Sequence, residues 1–332
     1  MNLKRFLAIF LTVVMTLSVY AVAQADTGYD YLVGPIDFTD AVGNSNTLGF
    51  SASGQANIYA QAIDGNMVLN IKRGNYLYNS WVDAPKYNST GKNGIVVEFK
   101  LKSTLFMKMA FRLDGVKALI TIEPNGDVIA TNSGKILCNV KANEWYTYTA
   151  MIDYSAQTIL FTVKDSLGTV LCNTPHVQTD SSYLSYMSAK ADSFMRFYMY
   201  EMSKTGDYNL GYLDDFSIRA ITAEDIASIP EYAITNFKFS NVEAAPGDVT
   251  VSADVLSIAS DGQPMTLIVL LKNKASGELV SANADIQTVN SEGKTLSAMV
   301  TIPDDGNEYE VYAHIWGTFL DMNTLIKPIN LK

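Results

Sequence analysis

The sequence predicts an all-β chain of two β-sandwiches, a larger one followed by a smaller immunoglobulin-like one, and three observations carry that expectation. Residues 143–165, NEWYTYTAMIDYSAQTILFTVKD, alternate bulky side chains at a period of two on both sides of the turn formers Asp153, Ser155 and Gln157. That is the pattern of a long antiparallel hairpin. From Tyr29 onward, apolar and β-branched runs recur between turn signals, and no stretch holds a helical period long enough for a substantial helix. Beyond Pro230, seven strand-like runs follow in about 100 residues, separated by turns such as Pro246-Gly247, Asp261-Gly262 and Ser276-Gly277, the spacing of an immunoglobulin-like sandwich.

Taken in order, Met1 to Ala25 reads as a signal peptide. Lys4 and Arg5 form its charged start, Phe6 to Ala23 its apolar run, and Ala23-Gln24-Ala25 its cleavage site. A secreted, extracellular protein starting at Asp26 is expected, with no membrane attachment once the signal is cut. Removing the signal leaves 22 basic residues against 34 acidic ones, a net charge of −12. Acidity of that size, without a Lys/Arg cluster, argues against nucleic acid or anionic lipid as a partner and favours neutral over strongly anionic polysaccharide. The remaining chain, about 307 residues, exceeds one comfortable core, so two domains are expected, and a monomer.

In the larger domain, residues 26–221, strands are expected at Ala56–Ala60, Met67–Lys72, Gly94–Lys102, Lys108–Leu113, Ala118–Ile122, Asp127–Thr131, Lys135–Val140, the hairpin above, Phe194–Met202 and Leu213–Ala220. Pro124-Asn125-Gly126 supplies a tight turn between two of them. Residues 76–87 read as a loop after Gly74, and His176, following Pro175, as loop also. Thr222-Ala-Glu-Asp-Ile226 opens a short capped turn in a linker at 222–230, and 231–332 make the smaller domain.

Ile36-Asp37-Phe38 with Gly65-Asn66-Met67-Val68-Leu69, Trp145-Tyr146-Thr147 with Ile152-Asp153-Tyr154, and the closing Gly211-Tyr212-Leu213-Asp214-Asp215-Phe216-Ser217-Ile218 together resemble the concanavalin A-like, laminin-G-like jelly roll of secreted bacterial glycan-active proteins. The likeness spans roughly residues 29–221. Glu310-Val311-Tyr312-Ala313-His314-Ile315-Trp316 with Lys327-Pro328 is similar to the closing pattern of fibronectin-type or immunoglobulin-like modules, although Gly317-Thr318-Phe319 departs from it. The resemblance implies a glycan-related role, with a spacer or attachment module at the C-terminal end.

Several constellations carry chemistry. Strand alternation puts Arg196, Tyr198 and Tyr200 on one face and Met195, Phe197, Met199 and Glu201 on the other. An Arg beside two tyrosines suits a sugar, whose apolar ring face stacks on aromatics while hydroxyls or carboxylates bond to the Arg. The same pattern also fits tyrosines packed beneath a loop. Tyr146 and Tyr148 repeat the form, with Trp145 expected to anchor the core. Trp81 is either a sugar contact or an end plug of the sandwich. Asp37, Asp40, Asp214 and Asp215 sit on the first and last strands of the jelly roll, where they hold a structural Ca²⁺ or simply cap turns. No cofactor is required. Cys138 and Cys172 are read as a disulfide or as two buried thiols. With His176 and His314 the only histidines and no Cys-x-x-Cys, zinc has no ligand set.

Catalysis has weaker support. Glycosidases need two carboxylates flanking the scissile bond, and the Glu-x-Asp-x-Glu strand of the jelly-roll glucanases is absent, leaving only the separate Glu98 and Glu201. A polysaccharide lyase would draw on His176, Arg112, Arg196 and the tyrosines, but the Gln-x-His strand of such lyases is missing. The leading expectation is therefore a non-catalytic carbohydrate-binding or accessory protein. A jelly-roll lyase or hydrolase and a cell-surface adhesion module are the alternatives.

Overall fold

The computed structural model describes residues 29–39, 48–53, 56–73, 79–105, 107–115, 117–131, 134–177, 188–200, 208–228, 232–241, 243–257, 262–290, 292–317 and 329–331. The larger sandwich uses β1 (Tyr31–Ile36), β2 (Ser51–Ser53), β3 (Ala56–Ile63), β4 (Asn66–Arg73), β5 (Ser80–Asp83), β6 (Gly94–Ser103), β7 (Met109–Leu113) and β8 (Lys117–Ile122). It continues through β9 (Asp127–Ala130), β10 (Lys135–Asn139), β11 (Trp145–Asp153), β12 (Thr158–Asp165), β13 (Val170–Val177), β14 (Met195–Met199) and β15 (Tyr208–Ala220). After the helix α1 (Ala223–Ala227), the smaller sandwich comprises β16 (Tyr232–Phe239), β17 (Gly247–Ser257), β18 (Gln263–Asn273), β19 (Leu279–Val289), β20 (Lys294–Ile302), β21 (Tyr309–Trp316) and β22 (Ile329–Leu331). The all-β sandwich class read from the sequence is the class observed, and each of the seven runs expected after Pro230 has its strand.

One sheet of the larger sandwich runs β10-β9-β8-β7-β14-β5-β2. Facing it is the stretch β13-β12-β11-β6-β15-β4-β3 of an eleven-stranded sheet, with β1 paired to β15. Strand alternation decides what lies between them. From the eleven-stranded sheet come Phe99, Tyr148 and Phe216, and from the other Phe111 and Phe197, all buried. Phe99 sits 4.8 Å from Phe111, 5.2 Å from Phe197 and 5.3 Å from Tyr148, between ring centroids. Burying each such ring contributes on the order of 1.5–3 kcal/mol. The consequence for function is geometric: with Phe197 turned into the core, its neighbours Arg196 and Tyr198 must face out.

The hairpin of residues 143–165 forms as expected, in the register Tyr146↔Asp165 to Asp153↔Thr158. Its two faces are the reverse of the reading from sequence. Tyr146 and Tyr148 are buried core residues, whereas Trp145 is half-buried on the outer face with Lys102 Nζ 6.0 Å from its ring. Period two fixes that the faces differ but not which one is inside, and here the phenol rings fill the inter-sheet space that Phe99 and Phe111 leave. Two loop assignments also change. Trp81 lies on β5, hydrogen-bonded between β14 and β2, and the backbone at His176 belongs to β13. Pro175 is tolerated in that strand because β16 pairs with β13 only at Asn173. The Pro124-Asn125-Gly126 turn is present, with the Gly126 amide donating to Glu123 O at 2.9 Å.

That Asn173↔Ile234 pair joins the two sandwiches. The eleven-stranded sheet continues from β13 through β16 and β17 to β20, and the sheet β19-β18-β21-β22 closes the second core over Val251, Leu267, Val269 and Ile315. Between the two cores, α1 begins on a capping box: Thr222 Oγ1 accepts the Asp225 amide and Asp225 accepts the Thr222 amide. Arg219 locks the corner with bonds of 2.6 and 2.7 Å to Asp225. Burial works against the charge of that carboxylate, yet Arg219 and Thr222 together lower its pKa to about 2.

Candidate ligand-binding face

The outward face of the seven-stranded sheet collects four of the residues singled out from sequence. Registers Arg196↔Asp83, Arg196↔Arg112 and Tyr198↔Trp81 set Asp83, Arg196 and Arg112 in one row across β5, β14 and β7, and Trp81 and Tyr198 in the next. Tyr200 follows one step further along the same face. The Trp81 and Tyr198 rings are parallel to within 5° at 6.3 Å, and Tyr198 meets Tyr200 edge-on at 5.1 Å.

Cations are laid against these rings. Arg196 Cζ is 4.7 Å from the Trp81 ring centre, Arg112 Cζ is 3.6 Å from that of Tyr198, and Lys108 Nζ is 5.3 Å from that of Tyr200. Arg196 is fixed by a bidentate pair with Asp83, Nε to Oδ1 at 2.6 Å and Nη2 to Oδ2 at 2.8 Å. Its position also depends on Gly115, where a Cβ would lie 2.8 Å from the guanidinium. Lys108 pairs with Glu123 at 2.6 Å, and Lys190 with Asp114 at 2.7 Å at the Gly115 end. The result is a half-buried ribbon of rings and guanidinium planes held in fixed orientation, a surface suited to flat, hydroxyl-rich partners.

Tyr146 and Tyr148 do not join this face. They belong to the opposite sheet and point inward, and burial pushes both phenols well above their usual pKa. The Tyr146 hydroxyl, which donates to Glu144 and accepts from the Lys141 amide, reaches the edge of a cleft of about 620 Å³ also lined by Ile136, Phe237 and Phe239.

Among the proposed metal ligands, Asp37 accepts from the amide and hydroxyl of Thr39, and Asp215 pairs with Lys100. Asp214 is buried, and burial, then the neighbouring Asp215, raise its pKa to about 6. Asp40 lies outside the described residues. Among the described residues, no group of three metal-ligating side chains comes together. Cys138 on β10 and Cys172 on β13 are both buried and both free thiols in this structure, so the larger sandwich holds a facing thiol pair, one from each sheet. The Cys138 thiol is pushed up by its hydrogen bond to Cys172 and by burial. Glu98 accepts from Thr149 Oγ1 on the outer face of the eleven-stranded sheet, while Glu201 is outside the described residues. His314 is half-buried, its pKa lowered by burial and by Lys272.

Two residues of the ribbon, Asp83 and Lys108, carry roles the sequence did not assign, and Arg112, named there only for a lyase, stands on the same face. Alternation along Lys108-Met-Ala-Phe-Arg112 does place Lys108 and Arg112 on one face, but nothing in one strand says which neighbour it will pair with.

No family model matches the sequence, and no curated protein matches it. Among solved structures the chain is similar to a sialidase (12% identity, 59% of this chain and 19% of that one, TM-score 0.41). It is similar also to a β-glucuronidase of Bacteroides uniformis (10% identity, 77% and 26%, TM-score 0.34) and to the metal-free lectin I-B4 of Griffonia simplicifolia (11% identity, 55% and 97%, TM-score 0.35). The chain spans about a quarter or less of the two enzymes' length. At these scores the likenesses carry nothing about activity.

Proposed function

We propose that this is a secreted carbohydrate-binding protein whose ligand lies across the outward face of β5, β14 and β7. The observation that carries the reading is the ordered ribbon of Trp81, Tyr198 and Tyr200 with Arg196 and Arg112. Rings pre-set in one orientation lose little conformational freedom on meeting a flat ligand, and guanidinium edges supply donors for hydroxyl oxygens. A binding role is favoured over catalysis because, among the described residues, the carboxylates on or beside the face, Asp83, Glu123 and Asp114, are each held by a cation, whereas glycoside cleavage needs one carboxyl free to donate a proton. The smaller sandwich acts as a spacer.

The test is calorimetric titration against a panel of plant and microbial polysaccharides. The wild type should bind at least one, and Tyr198→Ala and Trp81→Ala should each weaken that binding about tenfold or more, roughly 1.4 kcal/mol, while leaving the fold intact by circular dichroism. Failure of the whole panel, or release of new reducing ends or unsaturated sugars on incubation, would overturn the reading.

A further inference from the structure

Four cations stand on or beside the aromatic face, and three have a carboxylate: Arg196 has Asp83, Lys108 has Glu123, and Lys190 has Asp114. Arg112 has none among the described residues. Its Nη2 makes one long contact, 3.4 Å to the Tyr200 hydroxyl, and its Nε is buried without a hydrogen-bond partner. It also stands directly opposite Arg196 across the β7–β14 ladder, and like charges in that relation repel. Asp83 is bidentate to Arg196, so its charge is already paired with that guanidinium. The Tyr198 ring, 3.6 Å away, holds the Arg112 plane still. Among the described residues the face thus contains a rigid, partly desolvated guanidinium with no carboxylate paired to it, a state that is costly unless something supplies the anion.

We infer that the ligand supplies it: the face takes an acidic glycan, and Arg112 binds that glycan's anionic group, a sugar carboxylate or a sulfate ester. This rests on the reading of the face as a carbohydrate-binding surface, and it sets the local charge of the site against the net acidity of the chain. Two oxygens of a carboxylate or a sulfate ester match the guanidinium fork, and the fork made by the neighbouring Arg196 with Asp83 shows the geometry that the second arginine lacks.

The experiment compares one chain in two charge states. Homogalacturonan oligosaccharides are titrated as free acids and as fully methyl-esterified, neutral chains of the same length, together with a sulfated galactan and its desulfated form. The wild type should prefer one anionic member to its neutral counterpart by about tenfold at low salt, and the preference should shrink as ionic strength rises. Arg112→Gln should abolish the preference, bringing the affinity for the anionic member down to that for its neutral counterpart, and Arg112→Lys should keep part of it. The pair that shows the effect tells carboxylate from sulfate. Equal binding of both members of each pair, or a preference that survives in Arg112→Gln, overturns the inference and leaves the carbohydrate reading standing. Binding to no member, together with none on the wider panel, overturns both. Should Arg112→Gln fail to fold, the salt dependence of the wild-type preference decides alone, and its absence counts against.

Discussion

Single side chains in this protein are informative where burial and charge conflict. Asp214 is one. With its pKa raised from 3.8 to about 6 in the folded state, the folded protein holds that proton more tightly than the unfolded chain does. The stability this contributes is fully present below about pH 4 and is lost as pH rises through 6. The melting temperature of the wild type should therefore fall relative to Asp214→Asn between pH 4 and 7; a constant difference would show that Asp214 does not titrate in that window. The cysteine pair is a second case. Cys138 and Cys172 are buried neighbours from facing sheets, and in an oxidising compartment their expected fate is a bond that staples the sandwich. We expect protein purified under oxidising conditions to show no free thiol after denaturation and to melt lower when reduced. The chain-entropy account puts the loss at about 4 kcal/mol for a loop of this length; two titratable thiols in the oxidised preparation would count against it.

At the level of elements, most strands were legible because their apolar positions recur at period two between strong turn formers. Gly126 shows why turns are the clearest of these signals. It lies at φ 86°, and a Cβ there would meet the Val140 carbonyl oxygen at 2.1 Å. Gly126→Ala should cost more than about 1 kcal/mol, read as a lowered urea midpoint; an unchanged midpoint would mean that the β8–β9 turn yields freely. Other features were hidden for physical reasons. The β5 strand is only four residues long and sits among loop-forming residues, so Trp81 read as loop. The inward and outward faces of β11 carry equal bulk, and only the shape of the opposing sheet decides that Tyr148 rather than Trp145 is buried. Pairing partners are hidden from any single strand, so Arg196, Tyr198 and Tyr200 could be placed on one face from sequence, whereas Arg112 was named by residue type alone and Asp83, supplied by β5, was not named.

Over the whole molecule, one eleven-stranded sheet runs through both sandwiches by way of the Asn173↔Ile234 pair, a continuity that no local periodicity announces. It leaves the outward face of the seven-stranded sheet, built wholly within the larger sandwich, as the place where aromatic rings and guanidinium planes gather. That this face is where the ligand lies is the central claim, and Trp81 offers a direct probe of it. The chain has three tryptophans, Trp81, Trp145 and Trp316. A Trp145→Phe, Trp316→Phe protein leaves Trp81 as the sole indole. Titrated with whichever polysaccharide binds, this protein should show a saturable change in Trp81 emission whose midpoint matches the calorimetric affinity. Full binding by calorimetry with no change at Trp81 would place the ligand elsewhere and contradict the account.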